Sequence, residues 1–218
     1  MKLEVKLYHF YHIFADGKWI KPVWQHLRAL TKGKLVNNLE TFFIGITGSE
    51  VNKGRVEKFL KMYSYFFPFQ YTLAAHSQEG WEQTTLDKIH DFSLDHEGYV
   101  LYAHTKGAFN DREPNPSWRK SMTYFNVLKW GKAVEELKEH QAVGCHWLLP
   151  EDLPVNGYYF AGNFWWANLS LIRTFDKPLK NNRYDAESWI GMKYETEPFT
   201  IYDLNPGFPH RERFKLSW

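Results

Sequence analysis

Residues 98–107 read Gly-Tyr-Val-Leu-Tyr-Ala-His-Thr-Lys-Gly, and this stretch decides the fold. Its first six residues are almost continuously apolar, which predicts a strand that is buried on both faces. Strands of this kind are typical of parallel sheets that carry helices on both sides. Ligands bind beyond the carboxyl ends of strands in open α/β sheets. The polar and flexible residues 104–107 therefore predict a binding site.

Three strand-and-helix pairs precede this strand. Alternating or β-rich runs predict strands at residues 3–12, 39–47 and 69–75. Apolar residues at helical spacing predict helices at residues 19–30, 51–63 and 81–94. The order β-α-β-α-β-α-β predicts an α/β fold with a mostly parallel central sheet flanked by helices, in a single domain.

The second half of the chain has a less regular pattern. It predicts a long helix at residues 116–139, a strand at 141–148, a Pro-containing loop at 149–157 and an extended segment at 158–164. Two short helices, at residues 167–175 and 185–191, and a last strand at 199–204 complete the prediction.

Composition excludes several classes of protein. The chain has 218 residues, a formal net charge of +2 and 18% aromatic residues, which excludes a disordered, collagen-like or low-complexity chain. Cys145 is the one cysteine, so the chain holds no internal disulfide and no Cys-based zinc site. Charged residues interrupt the apolar N-terminus, and no apolar run has the length of a membrane span. We therefore expect a cytoplasmic location.

Basic residues concentrate after the decisive strand. Lys106 and Arg112 lie in the loop, and Arg119 lies in the first turn of the next predicted helix. Cations are unfavourable at a helix N-terminus unless an anion is bound there. These residues and the helix N-terminus therefore predict a phosphate cradle. A solvated basic loop would have the same composition.

An aromatic segment at residues 157–168 contains Gly162, Asn163, Trp165 and Trp166. Adjacent side chains on extended backbone face opposite ways, so one indole can belong to the core while the other lines a cleft. Aromatic faces and an amide are typical of sugar sites. Two core tryptophans are the alternative.

Two carboxylates, Asp185 and Glu187, follow Arg183 at a predicted helix start. Either of them would suit a general base that acts on an acceptor hydroxyl. Acidic residues are also favoured at helix starts by the helix dipole alone.

Taken in order, these motifs resemble the rhamnan-synthesis-type glycosyltransferases and related short glycosyltransferases of bacteria and phages. The resemblance covers about residues 98–190 and lies in an ordered set: His104-Thr105-Lys106-Gly107, Trp118-Arg119, Val143-Gly144, Phe160-Ala161-Gly162-Asn163-Phe164-Trp165-Trp166, and Glu187.

The resemblance implies a GT-A-like, Rossmann-like glycosyltransferase with a nucleotide-sugar half at residues 1–107 and an acceptor half at 108–218. It implies Glu187 as the catalytic base, with Asp185 second. It implies donor binding by His104, Thr105, Lys106, Gly107, Arg112 and Arg119, and substrate binding by Gly162, Asn163, Trp165, Trp166 and Arg183.

The metal prediction departs from the GT-A pattern. Most such enzymes hold Mg²⁺ or Mn²⁺ with a DxD motif, but Tyr102-Ala103-His104 stands in its place here. We therefore predict no metal ligands, with His104, Lys106 and nearby arginines neutralising the diphosphate. A carboxylate elsewhere could still recruit a divalent ion.

The expected partners are a nucleotide-sugar donor and a glycan acceptor. A hydroxymethylated cytosine in DNA is an alternative acceptor, which would require base flipping. Phosphate contacts would then come from six basic residues: Lys32, Lys34, Lys53, Arg55, Arg211 and Arg213. A non-catalytic carbohydrate- or nucleotide-binding module is a further alternative.

Overall fold

A computed structural model describes residues 5–67, 69–148, 157–192 and 198–203. Its strands are β1 (Leu7–Phe14), β2 (Leu39–Thr47), β3 (Thr72–Ser77), β4 (Tyr99–His104), β5 (Ala142–Cys145), β6 (Trp147–Leu148), β7 (Tyr159–Phe160), β8 (Trp165–Asn168) and β9 (Pro198–Tyr202). Its helices are α1 (Ile20–Lys32), α2 (Glu50–Phe66), α3 (Gln83–Ser93), α4 (Asn115–Thr123), α5 (Trp130–Glu136), α6 (Leu169–Ile172) and α7 (Tyr184–Ser188). Most of the predicted loop at 149–157 lies outside the described residues, as do Arg211 and Arg213.

Seven strands form one sheet in the order β3-β2-β1-β4-β8-β5-β9. Neighbouring strands are parallel except at β8, which runs antiparallel to both β4 and β5. Strands β6 and β7 form a separate antiparallel pair. The α/β class with a mostly parallel central sheet is therefore confirmed.

Hydrophobic clusters cover both faces of the sheet. On one face, Val23 of α1 and Leu60 of α2 pack in the same cluster as Met122 of α4. On the other face, Leu86 and Ile89 of α3 pack in a second cluster. Strand β4 contributes alternate residues to the two clusters, which is why its sequence is apolar throughout. Within the described ranges, no helix combines the length and apolarity needed to cross a bilayer.

Strand β8 is the main departure from the sequence prediction, which places a helix from residue 167. Trp165 and Trp166 are both fully buried, one in each cluster, so a covered central strand accommodates them better than a surface helix. The helix α6 begins only after Asn168, whose side chain accepts a hydrogen bond of 3.1 Å from the Ser170 amide.

The predicted helix at 116–139 is interrupted by a π-helical turn, Tyr124–Leu128, between α4 and α5. The Trp166 indole donates a 2.8 Å hydrogen bond to the Asn126 carbonyl in this turn. A side chain that takes a helix carbonyl disturbs the regular ladder there. The predicted strand at 141–148 is likewise divided at His146, whose φ is +58°, into β5 and β6.

Candidate active site at the ends of strands β1 and β4

The topological switch point of the sheet lies between β1 and β4. The chain passes from β1 to β2 on one side, whereas β4 pairs with the opposite edge of β1. Ligand crevices in such sheets open at the carboxyl ends of these two strands. His12 and His104 are partners in the register there and are both buried.

A carboxylate that the sequence prediction missed organises this end of the sheet. Glu82 precedes α3, and its Oε1 lies 3.0 Å from Nδ1 of His104. Its Oε2 accepts hydrogen bonds of 2.9 Å from the Tyr102 hydroxyl and 2.7 Å from Asn163 Nδ2. Nε2 of His104 donates to the Gly162 carbonyl at 2.9 Å. Both ring nitrogens of His104 thus face acceptor oxygens.

The environment of Glu82 favours its charged form. Burial raises the pKa of Glu82, but the charge and hydrogen bond of His104, the charge of His12 and the Asn163 amide outweigh it and lower that pKa to about 2. Burial and the neighbouring Glu82 charge raise the pKa of the Tyr102 hydroxyl well above its ordinary value. Glu82 is therefore a carboxylate and Tyr102 a neutral donor at physiological pH.

His12 belongs to the same cluster and is neutral at physiological pH, so its charge acts on Glu82 only in acid. Burial lowers its pKa to about 4, against the opposing charge of Glu82. Its Nδ1 lies 2.7 Å from Oγ1 of Thr85 in α3. Gly45 of β2 makes room for this contact, since a Cβ there would lie 1.8 Å from Thr85 Oγ1.

The loop after β4 brings together most of the predicted donor-binding residues. Thr105 Oγ1 accepts a 2.9 Å hydrogen bond from the Phe14 amide and so ties the ends of β4 and β1 together. Gly107 has a φ of +84°, and a Cβ there would lie 2.7 Å from Arg119 Nη1. Lys106 places its ammonium 4.0 Å from the centre of the Trp118 ring.

Arg119 is buried and holds the loop after β4 by hydrogen bonds. Its Nε donates to Gln25 Oε1 at 3.1 Å, its Nη2 to Asp111 at 3.0 Å, and its Nη1 to the Lys106 carbonyl. These contacts engage all three guanidinium nitrogens within the protein. Arg112, by contrast, lies on the exposed part of the loop. Lys106 and Arg112 are therefore the predicted cradle residues with side chains available to an incoming anion.

The predicted substrate segment forms a tight turn over this cluster. Gly162 and Asn163 both have positive φ, +88° and +58°. Asn163 joins Glu82 to α7, because its Nδ2 also lies 3.1 Å from the Ala186 carbonyl. Trp165 and Trp166 are placed in the core, and neither ring reaches a cleft.

Helix α7 carries the two predicted base candidates in different settings. Asp185 accepts hydrogen bonds from the Asn181 and Asn182 amides at 2.9 and 3.0 Å, which closes the turn before the helix. Glu187 is partly buried, and its charge contributes to the raised pKa of Tyr102. Glu187 follows Ala186, whose carbonyl accepts from Asn163 of the Glu82 cluster. Arg183 is exposed and donates to the Tyr184 hydroxyl at 2.9 Å.

A groove of about 650 Å³ opens beside the end of β1, between α1 and α2. Asp16 forms one wall and is held by Asn52 Nδ2 at 2.7 Å. Arg55 and Lys58 give the groove positive charge, and Phe59 gives it an aromatic surface. The sequence offers few signals for this groove, since its residues come from separate elements with ordinary surface composition.

A divalent cation is not well accommodated by this arrangement. The fold class implies a metal on the donor diphosphate, but both oxygens of Glu82 already accept from His104, Tyr102 and Asn163. In the part of the chain that the structure describes, no group of three or more His, Cys, Asp or Glu side chains could hold a metal ion.

Three comparisons relate the chain to known proteins. No curated protein matches the sequence. The 4-diphosphocytidyl-2C-methyl-D-erythritol synthase from Anaerococcus prevotii DSM 20548 superposes with a TM-score of 0.52 at 10% identity, over 91% of this chain and 89% of that one. A second 4-diphosphocytidyl-2C-methyl-D-erythritol synthase gives 0.45 at 11% identity, over 99% and 94%. The first likeness confirms the Rossmann-like, GT-A-like fold class. Because residues 10–215 match the family described as domain of unknown function DUF8361, the chain belongs to that family.

Proposed function

We propose that this chain is a glycosyltransferase that moves a sugar from a nucleotide-diphosphate donor to an acceptor hydroxyl. The observation that carries the proposal is the contact between Asn163 Nδ2, Glu82 Oε2 and the Ala186 carbonyl. This contact links the polar cluster at the switch point to the helix that bears Glu187. A carboxylate held beside such a crevice suits removal of a proton from an acceptor.

The proposed roles follow from charge and position. The nucleotide would enter the groove beside β1, where Arg55 and Lys58 supply positive charge. Lys106 and Arg112 would stabilise the departing diphosphate. Glu187 would take the proton of the acceptor hydroxyl as its oxygen attacks the anomeric carbon. Glu82, His104 and Asn163 would hold the turn at Gly162 and α7 in place.

A panel of nucleotide sugars tests the proposal, with release of the nucleoside diphosphate as the readout. We expect one donor to give turnover, either by transfer or by slow hydrolysis. Glycan and DNA acceptors are both supplied in the assay. If a nucleotide sugar raises the melting temperature but no donor gives turnover, the chain is instead a binding module. The Glu187→Gln variant serves as the matched control, since it should bind the donor and lack turnover.

Nucleotidyl transfer is a second candidate, favoured by the fold likeness to a protein named for a diphosphocytidyl product. It is distinguished by its products. A nucleotidyltransferase consumes a nucleoside triphosphate and releases pyrophosphate, whereas a glycosyltransferase releases a nucleoside diphosphate. Incubating the chain with each triphosphate and measuring pyrophosphate separates the two reactions.

The proposed acceptor is a glycan, with hydroxymethylated cytosine in DNA as the alternative. Matched assays with the identified donor and each acceptor separate them. A DNA acceptor would make activity fall steeply with salt, because phosphate contacts release counterions. A neutral glycan acceptor would give little salt dependence.

A further inference from the structure

A second groove, of about 540 Å³, lies between α1 and α4 with its following π-helical turn. We call it the α1–α4 groove. Its lining includes six residues with exposed or partly exposed side chains: Lys21, Trp24, Arg28, Lys120, Thr123 and Tyr124. The mechanism proposed above uses none of them.

Aromatic rings and cations are paired along this groove. Trp24 is 45% exposed, and the guanidinium of Arg28 lies 5.1 Å from the centre of its ring. Tyr124, on the opposite wall, has the ammonium of Lys129 at 5.9 Å. An exposed indole next to a guanidinium offers a stacking face and a positive charge at one place.

The charge of the lining is predominantly positive. Its cations come from both helices, and Glu113 is the one carboxylate among the described residues that line this groove. Lys21 is paired with Asp111 at 2.9 Å. Among the described residues, no carboxylate lies within ion-pair distance of Arg28. Arg28 thus keeps its charge available for an anionic ligand.

We propose that the α1–α4 groove binds single-stranded nucleic acid. A single strand supplies a flat base for each aromatic face and a phosphate at every nucleotide for the cations, and this combination matches the lining. Sugar recognition would need side-chain amides and carboxylates. The side-chain amide oxygen of Gln25 already accepts from Arg119 Nε at 3.1 Å, and the described lining has one carboxylate, Glu113. The lining therefore fits a nucleic acid better than a glycan.

The position of the groove also has a consequence for the bound strand. Gln25 and Arg119 belong to its wall, and Arg119 also holds the Lys106 carbonyl in the loop after β4. A bound strand would lie directly behind that loop. The inference does not rest on the proposed glycosyl transfer, because binding is measured without a donor.

Fluorescence anisotropy of a labelled oligothymidylate of about 15 nucleotides tests the proposal with the full chain. We expect saturable binding at about 50 mM salt. The logarithm of the binding constant should fall linearly with the logarithm of the salt concentration. Trp24→Ala should weaken binding by at least about fivefold through loss of stacking. Arg28→Gln should weaken it and lower the salt slope by about 1.

Two variants outside the groove are matched controls. Trp81 is also 45% exposed, and Lys61 is an exposed cation on α2. Trp81→Ala and Lys61→Gln should leave binding within about twofold of the parent, a difference below roughly 0.5 kcal/mol. Circular dichroism melts confirm that each variant is folded.

Three results would overturn the proposal. The first is no binding at low salt. The second is an equal loss in the groove variants and the controls, which would indicate diffuse surface charge. The third is displacement of the oligonucleotide by hyaluronate as effectively as by unlabelled oligothymidylate, which would assign the groove to an anionic glycan.

Discussion

Nδ1 of His104 lies 3.0 Å from Oε1 of Glu82, and this contact joins the end of β4 to the start of α3. The same carboxylate accepts from Tyr102 and Asn163, so three segments far apart in the sequence meet at one side chain. A mostly buried carboxylate with this many donors is costly to neutralise or remove.

Glu82→Gln should destabilise the fold, because the isosteric amide loses the charge that His104 faces. We expect a loss of about 3 kcal/mol in the free energy of unfolding at neutral pH, measured by urea titration. The folded-state pKa of Glu82 is about 2, below its ordinary value of 4.5, so its contribution is present above pH 4.5 and declines as pH falls toward 2. The difference between parent and variant should shrink over that range. A constant difference would contradict the depressed pKa.

Glu187→Gln should remove turnover and leave the fold intact. As the proposed base, Glu187 should contribute roughly 10²–10⁴-fold to the rate, while donor affinity stays close to that of the parent. Asp185→Asn is the matched comparison, since Asp185 is occupied by the Asn181 and Asn182 amides. That variant should lose stability and keep most of its kcat. The reverse pattern would transfer the role of base to Asp185.

Transfer activity should persist in excess EDTA, because three contacts take up most of the acceptor sites of Glu82 and no group of three or more His, Cys, Asp or Glu side chains among the described residues could hold a metal ion. The measurement is initial rate with the identified donor, before and after chelation. Complete loss that Mn²⁺ restores would show that carboxylates elsewhere in the chain recruit a metal.

The buried pair His9 and His26 should make the fold sensitive to mild acid. Their Nε2 atoms lie 2.7 Å apart, and burial lowers the pKa of His9 to about 3 and that of His26 as well. The unfolded chain takes up protons below pH 6.5, so stability falls as pH decreases from 6.5 toward 3. Protonation of His9 in the unfolded chain should by itself lower the free energy of unfolding by about 2 kcal/mol between pH 6.5 and 5.

The double variant His9→Phe, His26→Phe tests this pH dependence. Both rings already stack on aromatic neighbours, His9 on Phe42 and His26 on Tyr11, so phenyl rings suit these positions. We expect a flatter dependence of the urea midpoint on pH between about 7 and 5. An unchanged slope would assign the acid sensitivity to other groups.

Gly45→Ala should destabilise the fold by about 1–3 kcal/mol, since its Cβ would overlap the Thr85 side chain that contacts His12. Gly54→Ala is the matched control. Apart from its chain neighbours and the nearby helix backbone, no heavy atom of the described residues lies within 4 Å of a Cβ at Gly54, which is inside α2. That variant should therefore gain about 0.5–1 kcal/mol from helix propensity. Thermal or urea unfolding shows whether Gly45→Ala lowers the free energy of unfolding and Gly54→Ala raises it.

The sequence predicts the parallel part of the sheet well, because its strands and helices differ in period and alternate regularly. It predicts β8 badly, since Trp165-Trp166-Ala167 is a short apolar run that periodicity alone cannot assign to strand or helix. The π-helical turn at Asn126 depends on the Trp166 indole, which lies 40 residues away and is invisible to local pattern.

The candidate site likewise has a part that the sequence predicts and a part that it does not. The end of β4 was predicted because strand ends in parallel sheets share one edge. Glu82 was not, since an acidic residue at a helix start has a sufficient local explanation in the helix dipole. Tyr102 and His104 share one face of β4, which indicates a polar partner but does not identify it. The role of Arg119 as a buried tie, with three partners from separate segments, is likewise a tertiary property.

The antiparallel strand β8 sets the order in which the chain can be assembled. Strand β5 comes earlier in the sequence, yet within the described residues its neighbours in the sheet are β8 and β9. A nascent chain that ends before Trp165 has no strand to connect β5 with β4. The edge of β4 then stays open until the last quarter of the chain emerges. Truncations before Trp165 should therefore yield an aggregation-prone partial sheet rather than a smaller stable domain.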